Sequence, residues 1–287
     1  MEKSNKSKPQ PNRKPLVSVI ITTKNEEEVL ERLLKSIEKQ SYPKIEVIVV
    51  DNQSSDNTKK IAKKYTNKIY DYGPERSFQR NFGAKKSKGK YLLFLDADME
   101  LSKNVVSECV DVAGSNGKIG GLIIPEEPVA RTFWEKVKAH ERFIYNVEGD
   151  PITDAARFFT RKAFYAAGGY DESITGPEDW DLPETVKKKG YKIGRISSKI
   201  KHFERVPNPF VLAKKKYYYG IKSHRYLAKH NISAISPKTI YFLRPIFYKN
   251  WRMLIAHPIL SFAMFVMFTL ELFGGGLGYM VGKAKDK

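Results

Sequence analysis

The chain has 287 residues, with 51 Lys or Arg against 32 Asp or Glu, giving a formal charge of +19 and a pI near 9.7. At 41% hydrophobic content it can build one large α/β domain with a short appendage, which excludes a disordered or repeat chain. The basic balance calls for an anionic neighbour (a phosphorylated substrate, an acidic membrane or a nucleic acid), and one cysteine, Cys109, excludes a disulfide framework and a Cys-rich zinc site and fits a reducing, cytosol-facing location.

Residues 1–14 are mostly Lys, Asn, Ser and Pro, a composition that predicts a flexible tail and not a signal peptide. From Leu16 a β-branched run, VSVIITT, predicts a buried strand, and EEEVLERLLKSIEKQ predicts a helix with acids early and Lys late. A second apolar run closes at Asp51. The following SSDNT supplies N-cap candidates, Ser54 and Ser55 above all, for a helix from Lys60 to Tyr65. A third round runs from SFQRNFGAKKSKG into YLLFLDAD. Apolar strands alternating with helices predict a mostly parallel α/β sheet, whose ligands bind beyond the carboxyl ends of the strands. Further on, residues 119–124 predict a strand, 133–145 a helix, and DAARFFTRKAFYAAGGY a strand or helix ending in a Gly-Gly turn.

Past Val206, Lys and Arg mix with Tyr, Phe and Trp, with no acid before Glu271. This basic aromatic segment, 206–257, leads into residues 258–282, a run about 37 Å long as a helix and thus able to cross a hydrocarbon core of about 30 Å. A transmembrane or re-entrant helix is expected there, with the catalytic domain on the cytoplasmic side and the basic stretch against anionic headgroups. Glu271 within the run is costly if it faces lipid.

Chemistry concentrates where apolar runs end. Asp96 and Asp98, spaced i, i+2 after YLLFL, can share a hard divalent cation whose shell is completed by phosphate oxygens, or can be solvated and helix-capping. Asp51, with Asn52 and Gln53 after it, sits too early to cap a helix and suits a nucleoside contact. Thr22, Thr23 and Glu26 close the first strand and suit the same ligand or a capping loop. Arg76 and Arg80 can reach phosphates with their guanidinium forks or lie on a solvated helix face. The cluster Glu178-Asp179-Trp180-Asp181 offers Asp179 as a carboxylate base at the start of a helix. His202 can add a ring nitrogen to the metal or serve as a structural hydrogen-bonding residue.

In order, VSVIITTKNEE, VVDNQSSDNT, RNFGAKKSKGKYLLFLDAD, GGYDE and EDWDL resemble the successive motifs of family 2 inverting glycosyltransferases of GT-A fold, over about residues 15–205. The resemblance implies that Thr23, Glu26 and Asp51 hold the nucleoside of a UDP- or GDP-sugar and that Arg80 lies near the donor. It implies Asp96 and Asp98 as the metal-binding DXD motif for Mn²⁺ or Mg²⁺, Asp179 as catalytic base, and inversion at the anomeric carbon. Glu178 and Trp180 then face the acceptor, and Trp180 stacks on a sugar. Asn52, Gln53 and Lys24 depart from the family's frequent residues, and no Gln-x-x-Arg-Trp motif of processive synthases occurs in this chain, so transfer of a single sugar is expected. A lipid-linked or polyprenyl-phosphate acceptor follows from the basic segment beside an apolar helix. Nucleic-acid binding does not account for acids at strand ends, and a catalytically inactive scaffold does not account for Asp96, Asp98 and Asp179 together.

Overall fold

The computed structural model describes residues 14–146, 149–150, 152 and 154–286, so nearly all of the predicted amino-terminal tail lies outside the described residues. The first half alternates as expected: β1 (Val17–Thr23), α1 (Leu30–Glu38), β2 (Ile45–Asp51), α2 (Thr58–Ala62), β3 (Ile69–Asp71), α3 (Arg76–Lys86) and β4 (Tyr91–Asp96). Then come β5 (Met99–Leu101), α4 (Val105–Ser115), β6 (Ile119–Ile123), β7 (Glu126–Val129), α5 (Phe133–Asn146), β8 (Ala156–Thr160) and α6 (Arg161–Ala166). The chain continues through α7 (Glu178–Lys188), β9 (Lys192–Arg195), β10 (Ile200–Phe203), α8 (Pro209–Lys229), α9 (Pro245–Lys249), α10 (Trp251–Ala256) and α11 (Pro258–Lys285).

Seven strands form one sheet in the order β3-β2-β1-β4-β8-β6-β9, parallel throughout except for β8, which runs antiparallel to both neighbours. Alternate side chains of β1 serve opposite layers, as strand geometry requires. Val17, Val19 and Ile21 join Leu30, Leu33, Leu34 and Ile37 of α1 and Cys109 of α4 on one face. Ile20 joins Phe94, Phe159, Phe164, Leu182 and Val186 on the other. The apolar positions of α1 fall at intervals of three and four, the spacing that makes one helical face. On α3 the inward position is Gly83, whose missing Cβ would stand 2.5 Å from Ile20. That absence lets α3 lie close on β1 and carries Gln79 and Arg80 over the strand ends.

Two sequence expectations change in detail. The helix after Asp51 is Thr58–Ala62, which starts two residues and ends three residues earlier than expected, with Asn57 at its N-cap, so Ser54 and Ser55 do not cap it. Both serines instead tie their loop to the first strand's end, as described below. The 154–170 segment is strand and helix in succession, β8 then α6, and Gly168 and Gly169 form the expected turn at φ +88° and +78°, where only glycine is unstrained.

A second sheet, β5-β10-β7, was not apparent in the sequence. Its strands are three or four residues long, too short to show a period. In it β10 pairs antiparallel with β5 and parallel with β7, so His202 lies opposite Met99 and Pro128. That register draws the turn after β4, the start of β7 and His202 to one place.

The carboxyl-terminal helices pack on the domain. Val137, Ile144 and Tyr145 of α5 meet Ile246 and Phe247 of α9 and Met264, Met267 and Phe268 of α11. Glu271 is buried, its carboxylate 3.7 Å from Lys138 and 3.6 Å from Lys216. The charge expected to be costly in lipid therefore faces inward, toward two cations.

Candidate active site at the strand ends

The carboxyl ends of β1, β2 and β4 lie side by side, with Thr22 opposite both Val50 and Asp96, and Thr23 opposite Asp51. Thr22 and Thr23 are buried, and Asp51 is fully so. Thr23 Oγ1 donates to Asp51 Oδ1 at 2.7 Å, while Ser54 donates its backbone N–H and its hydroxyl to the same carboxylate at 2.7 and 2.6 Å. Gln79 Nε2 donates to the carbonyls of Thr23 and Val50 at 3.1 and 2.7 Å, closing the two strand ends from above. Asn25, at φ 55°, donates its backbone N–H to Ser54 Oγ at 2.7 Å and accepts from Ser55 N at 2.9 Å. Glu26 pairs with Arg205. Burial raises its carboxyl above the ordinary value, and Arg205 offsets only part of that. Thr22, Thr23, Glu26 and Asp51 thus form one cradle at the β1–β2 edge.

Across β4 a chain of ion pairs joins the other predicted residues. Arg80, fully buried, donates to Asp179 Oδ1 at 2.6 Å and to Asp96 Oδ1 at 3.0 Å. Arg157 Nη1 reaches Asp96 Oδ2 at 3.2 Å, and its Nη2 donates to Glu126 Oε1 at 2.6 Å. Burial alone would raise Asp96, but Arg80 and Arg157 hold it far below the carboxylate range. His202 Nδ1 lies 2.8 Å from Glu126 Oε2, and its Nε2 lies 3.5 Å from Asp98 Oδ2. Burial and the Arg142 charge pull the imidazolium down, Glu126 and Asp98 pull it up, and the result is a pKa raised to about 9. The same histidine lowers Asp98 against the opposing effect of its burial.

The predicted metal residues are therefore close, with a cation of the protein already beside each carboxylate. Among the described residues no group of three His, Cys, Asp or Glu side chains is set to hold a metal by itself. Asp98 Oδ1, however, is buried without a hydrogen-bond partner. An orphaned carboxylate oxygen is expensive unless something pairs with it, and a hard cation completed by phosphate oxygens and water fits that need.

Asp179 and Trp180 face a cavity of 210 Å³ that is also lined by Glu126, Arg142 and Arg157. Trp180 and Gly176 are shared with a second cavity of 330 Å³ between α8, α11 and the 234–241 segment, where Lys216, Tyr241 and Glu271 contribute. Its lining is mostly apolar and aromatic, and Lys216 Nζ bonds Tyr241 Oη at 2.5 Å. Glu178 is buried, and its Oε1 takes 2.7 Å from Arg76 Nη2, which also touches Tyr219 of α8 at 3.2 Å. Its other oxygen, Oε2, is unpartnered. Arg76 and Arg80 both leave the solvated-face reading behind, since each ties α3 to the acids at the start of α7.

Residues 18–167 match the family described as glycosyl transferase family 2, more than half of the chain. The chain belongs to that family. The poly(ribitol-phosphate) beta-N-acetylglucosaminyltransferase TarS of Staphylococcus aureus (strain Mu50) is 28% identical over 246 residues, 78% of this chain and 38% of the relative. The GalNAc(5)-diNAcBac-PP-undecaprenol beta-1,3-glucosyltransferase of Campylobacter jejuni is 33% identical over 125 residues, 39% of this chain and 40% of the relative. The chain thus spans about two fifths of the length of these relatives. Among solved structures, the mannosyltransferase PcManGT from Pyrobaculum calidifontis, in complex with GDP-Man and Mn²⁺, has a TM-score of 0.58 at 19% identity and covers 98% of this chain and 82% of that one. TarS 1–349 in complex with UDP has a TM-score of 0.54 at 17% identity, covering 94% of this chain and 91% of that one. Both share the GT-A-like fold.

Three charged residues that line the cavity with Asp179 were missed by sequence reasoning: Glu126, Arg142 and Arg157. Glu126 follows the apolar run 119–124 as Asp96 follows YLLFL, so the rule that singled out Asp96 applies to it as well. Arg157 is a lone cation in the apolar strand ARFFT, and it is buried. A buried charge needs a partner, which was the available signal.

Proposed function

We propose that the chain transfers one sugar from a nucleotide-sugar donor to an acceptor hydroxyl, with inversion at the anomeric carbon. The observation that carries this reading is the pair of hydrogen bonds that Arg80 donates, one to Asp96 and one to Asp179, so that both carboxylates meet on one buried guanidinium. The Thr23–Asp51 cradle, with Glu26, accepts the nucleoside; UDP and GDP donors are the first choices, because solved structures of this fold hold UDP, UDP-GlcNAc and GDP-Man. Asp96 and Asp98 would hold Mn²⁺ or Mg²⁺, which neutralises charge on a diphosphate leaving group.

Asp179 accepts the proton of the acceptor hydroxyl as its oxygen bonds to the anomeric carbon. The bond from that carbon to the diphosphate oxygen breaks, and its electron pair leaves with the nucleotide. Trp180 stacks on the acceptor beside the base, and the 2.6 Å hydrogen bond from Arg80 holds Asp179 at the cavity. His202 stands behind Asp98 and, when neutral, has a ring nitrogen to offer the metal.

A lipid-linked acceptor, of polyprenyl-phosphate type, is supported by three observations: the apolar cavity that shares Trp180 with the base, the basic α8, and the undecaprenol-linked substrate named for the Campylobacter relative. We place the enzyme at a membrane with its catalytic domain on the cytoplasmic side, α11 being long and apolar enough to cross one by length and composition.

The test is transfer by purified chain from a panel of UDP-, GDP- and dTDP-sugars to a lipid extract, with Mn²⁺ or with chelator. Metal-dependent product from one donor, partitioning into the organic phase, is expected. Product confined to the aqueous phase overturns the lipid acceptor, and absence of both turnover and nucleotide binding overturns the enzyme.

A further inference from the structure

We propose that α11 lies along one leaflet of an anionic bilayer and does not cross it, which leaves both ends of the helix on the side of the catalytic domain. The proposal rests on the membrane reading above and settles a geometry that hydropathy leaves open.

The two faces of α11 differ. Ala263, Met264, Met267, Phe268, Glu271, Gly278 and Gly282 are buried against the domain. Ile259, Phe262, Phe273, Leu277 and Met280 stand 73, 72, 67, 53 and 60% exposed. They recur at helical spacing on the opposite face, a stripe that runs the helix's length of about 42 Å. A spanning helix meets lipid around most of its girth. This one has half its girth occupied.

What occupies it decides the matter. A Cβ on Gly274, Gly278 or Gly282 would collide with the carbonyl oxygens of Ala213, Tyr217 and Ile221, so α11 and α8 run parallel with their backbones in contact over two full turns. Helix α8 is strongly basic, with Lys214 and Lys215 exposed, and Arg225 and His224 paired to Asp286 at the end of the apolar helix. The amino-terminal half of α11 rests on α5 and α9 of the domain. Insertion across the hydrocarbon core would therefore drag lysines of α8 and the charged surface of α5 into lipid, which is costly at every position near the centre.

An in-plane pose carries no such cost. The stripe enters one leaflet, as apolar faces of interfacial helices do. Around it stand the groups that suit a headgroup layer: exposed Tyr248, Trp251 and Arg252 before its start, and Lys283 and Lys285 at its end. Aromatic tips and basic side chains with long apolar stems favour that depth, and the positive flanks select anionic lipid. In this pose the membrane-facing helix also walls the 330 Å³ cavity through Leu272, Gly275, Gly276 and Tyr279. That cavity is the one Trp180 also lines.

Since Cys109 is buried and is the chain's one cysteine, single-cysteine labelling has little background. Ala284→Cys, at the far end of α11, and Lys60→Cys, on the exposed side of α2, are treated with a membrane-impermeant maleimide in sealed vesicles from expressing cells. Equal labelling of both sites in the same vesicle orientation is expected. Labelling of the two in opposite orientations overturns the in-plane pose while leaving membrane association intact. Flotation of the full chain separates the two failures. Wild type should float with phosphatidylglycerol vesicles and at least tenfold less with phosphatidylcholine, and Phe262→Ser with Phe273→Ser should lose most of the bound fraction while keeping its nucleotide affinity. Wild type that floats with neither removes the membrane reading itself, and a detergent-free dimer dispersed by the same double substitution assigns the stripe to a second copy and overturns the proposal.

Discussion

Two regions of this molecule bury a carboxylate among cations, and they do it differently. Asp96 accepts short bonds from two arginines, at 3.0 and 3.2 Å, beside the cavity that holds Asp179. Glu271, on α11, has two lysines at 3.7 and 3.6 Å, and neither of its oxygens accepts a hydrogen bond. The first arrangement is directional and fixes the aim of side chains that a ligand will meet. The second neutralises charge with little aim, which is enough to let an apolar helix dock on a basic one. Strand ends impose the first geometry; helix faces and glycine spacing impose the second.

The largest way to break this comparison is at the base. Asp179→Asn should cut transfer by about 10²- to 10⁴-fold, the range for loss of a general base, with donor affinity unchanged in calorimetry. A proportional loss of donor binding would make Asp179 a structural partner of Arg80 instead. On the helical side, Gly278→Leu forces a side chain into the Tyr217 carbonyl and should lower stability by about 3 to 5 kcal/mol in chemical denaturation. An unchanged midpoint would mean that α11 is not docked as described.

Glu271→Gln leaves Lys138 and Lys216 facing each other without their shared anion. Lys216 retains some solvent contact, so the expected cost is about 2 kcal/mol, below that of breaking a fully buried pair. Substitution without any loss would show that the charge has no part in docking.

The smallest effect sharpens the site. With its pKa raised to about 9, His202 contributes stability that is complete below its unfolded value near 6.5 and disappears as pH rises through 9. The metal-free chain should thus lose about 1 to 3 kcal/mol between pH 6.5 and 9.5, and His202→Gln should flatten that slope. An equal slope in both would place the titration elsewhere.

The parallel half of the fold was legible because β1, β2 and β4 are continuous apolar runs, each ended by a polar or acidic residue that the sheet brings to its ligand edge. Asp96, Asp98 and Asp51 could be named for that reason, and Asp179 for its place in the acidic cluster that starts a helix. Arg80 was ambiguous, since an arginine on a helix shows its burial only once α7 is packed against α3. Glu126 ends an apolar run much as Asp96 does, but β7 is four residues long and its partners, Arg157 of β8, His202 of β10 and Arg142 of α5, are far off in the chain, so only the fold brings them together. The inward aim of Glu271 likewise depends on α5 and α8, and no window of hydropathy contains it.

The most direct test of the central claim is a paired measurement on wild type and Asp98→Ala: nucleotide-sugar affinity by calorimetry with and without Mn²⁺, and transfer at saturating donor. The account predicts that Mn²⁺ tightens donor binding in wild type, that Asp98→Ala abolishes the metal effect, and that transfer falls with it. Metal-independent transfer at the wild-type rate in Asp98→Ala would contradict the assignment of the strand-end acids.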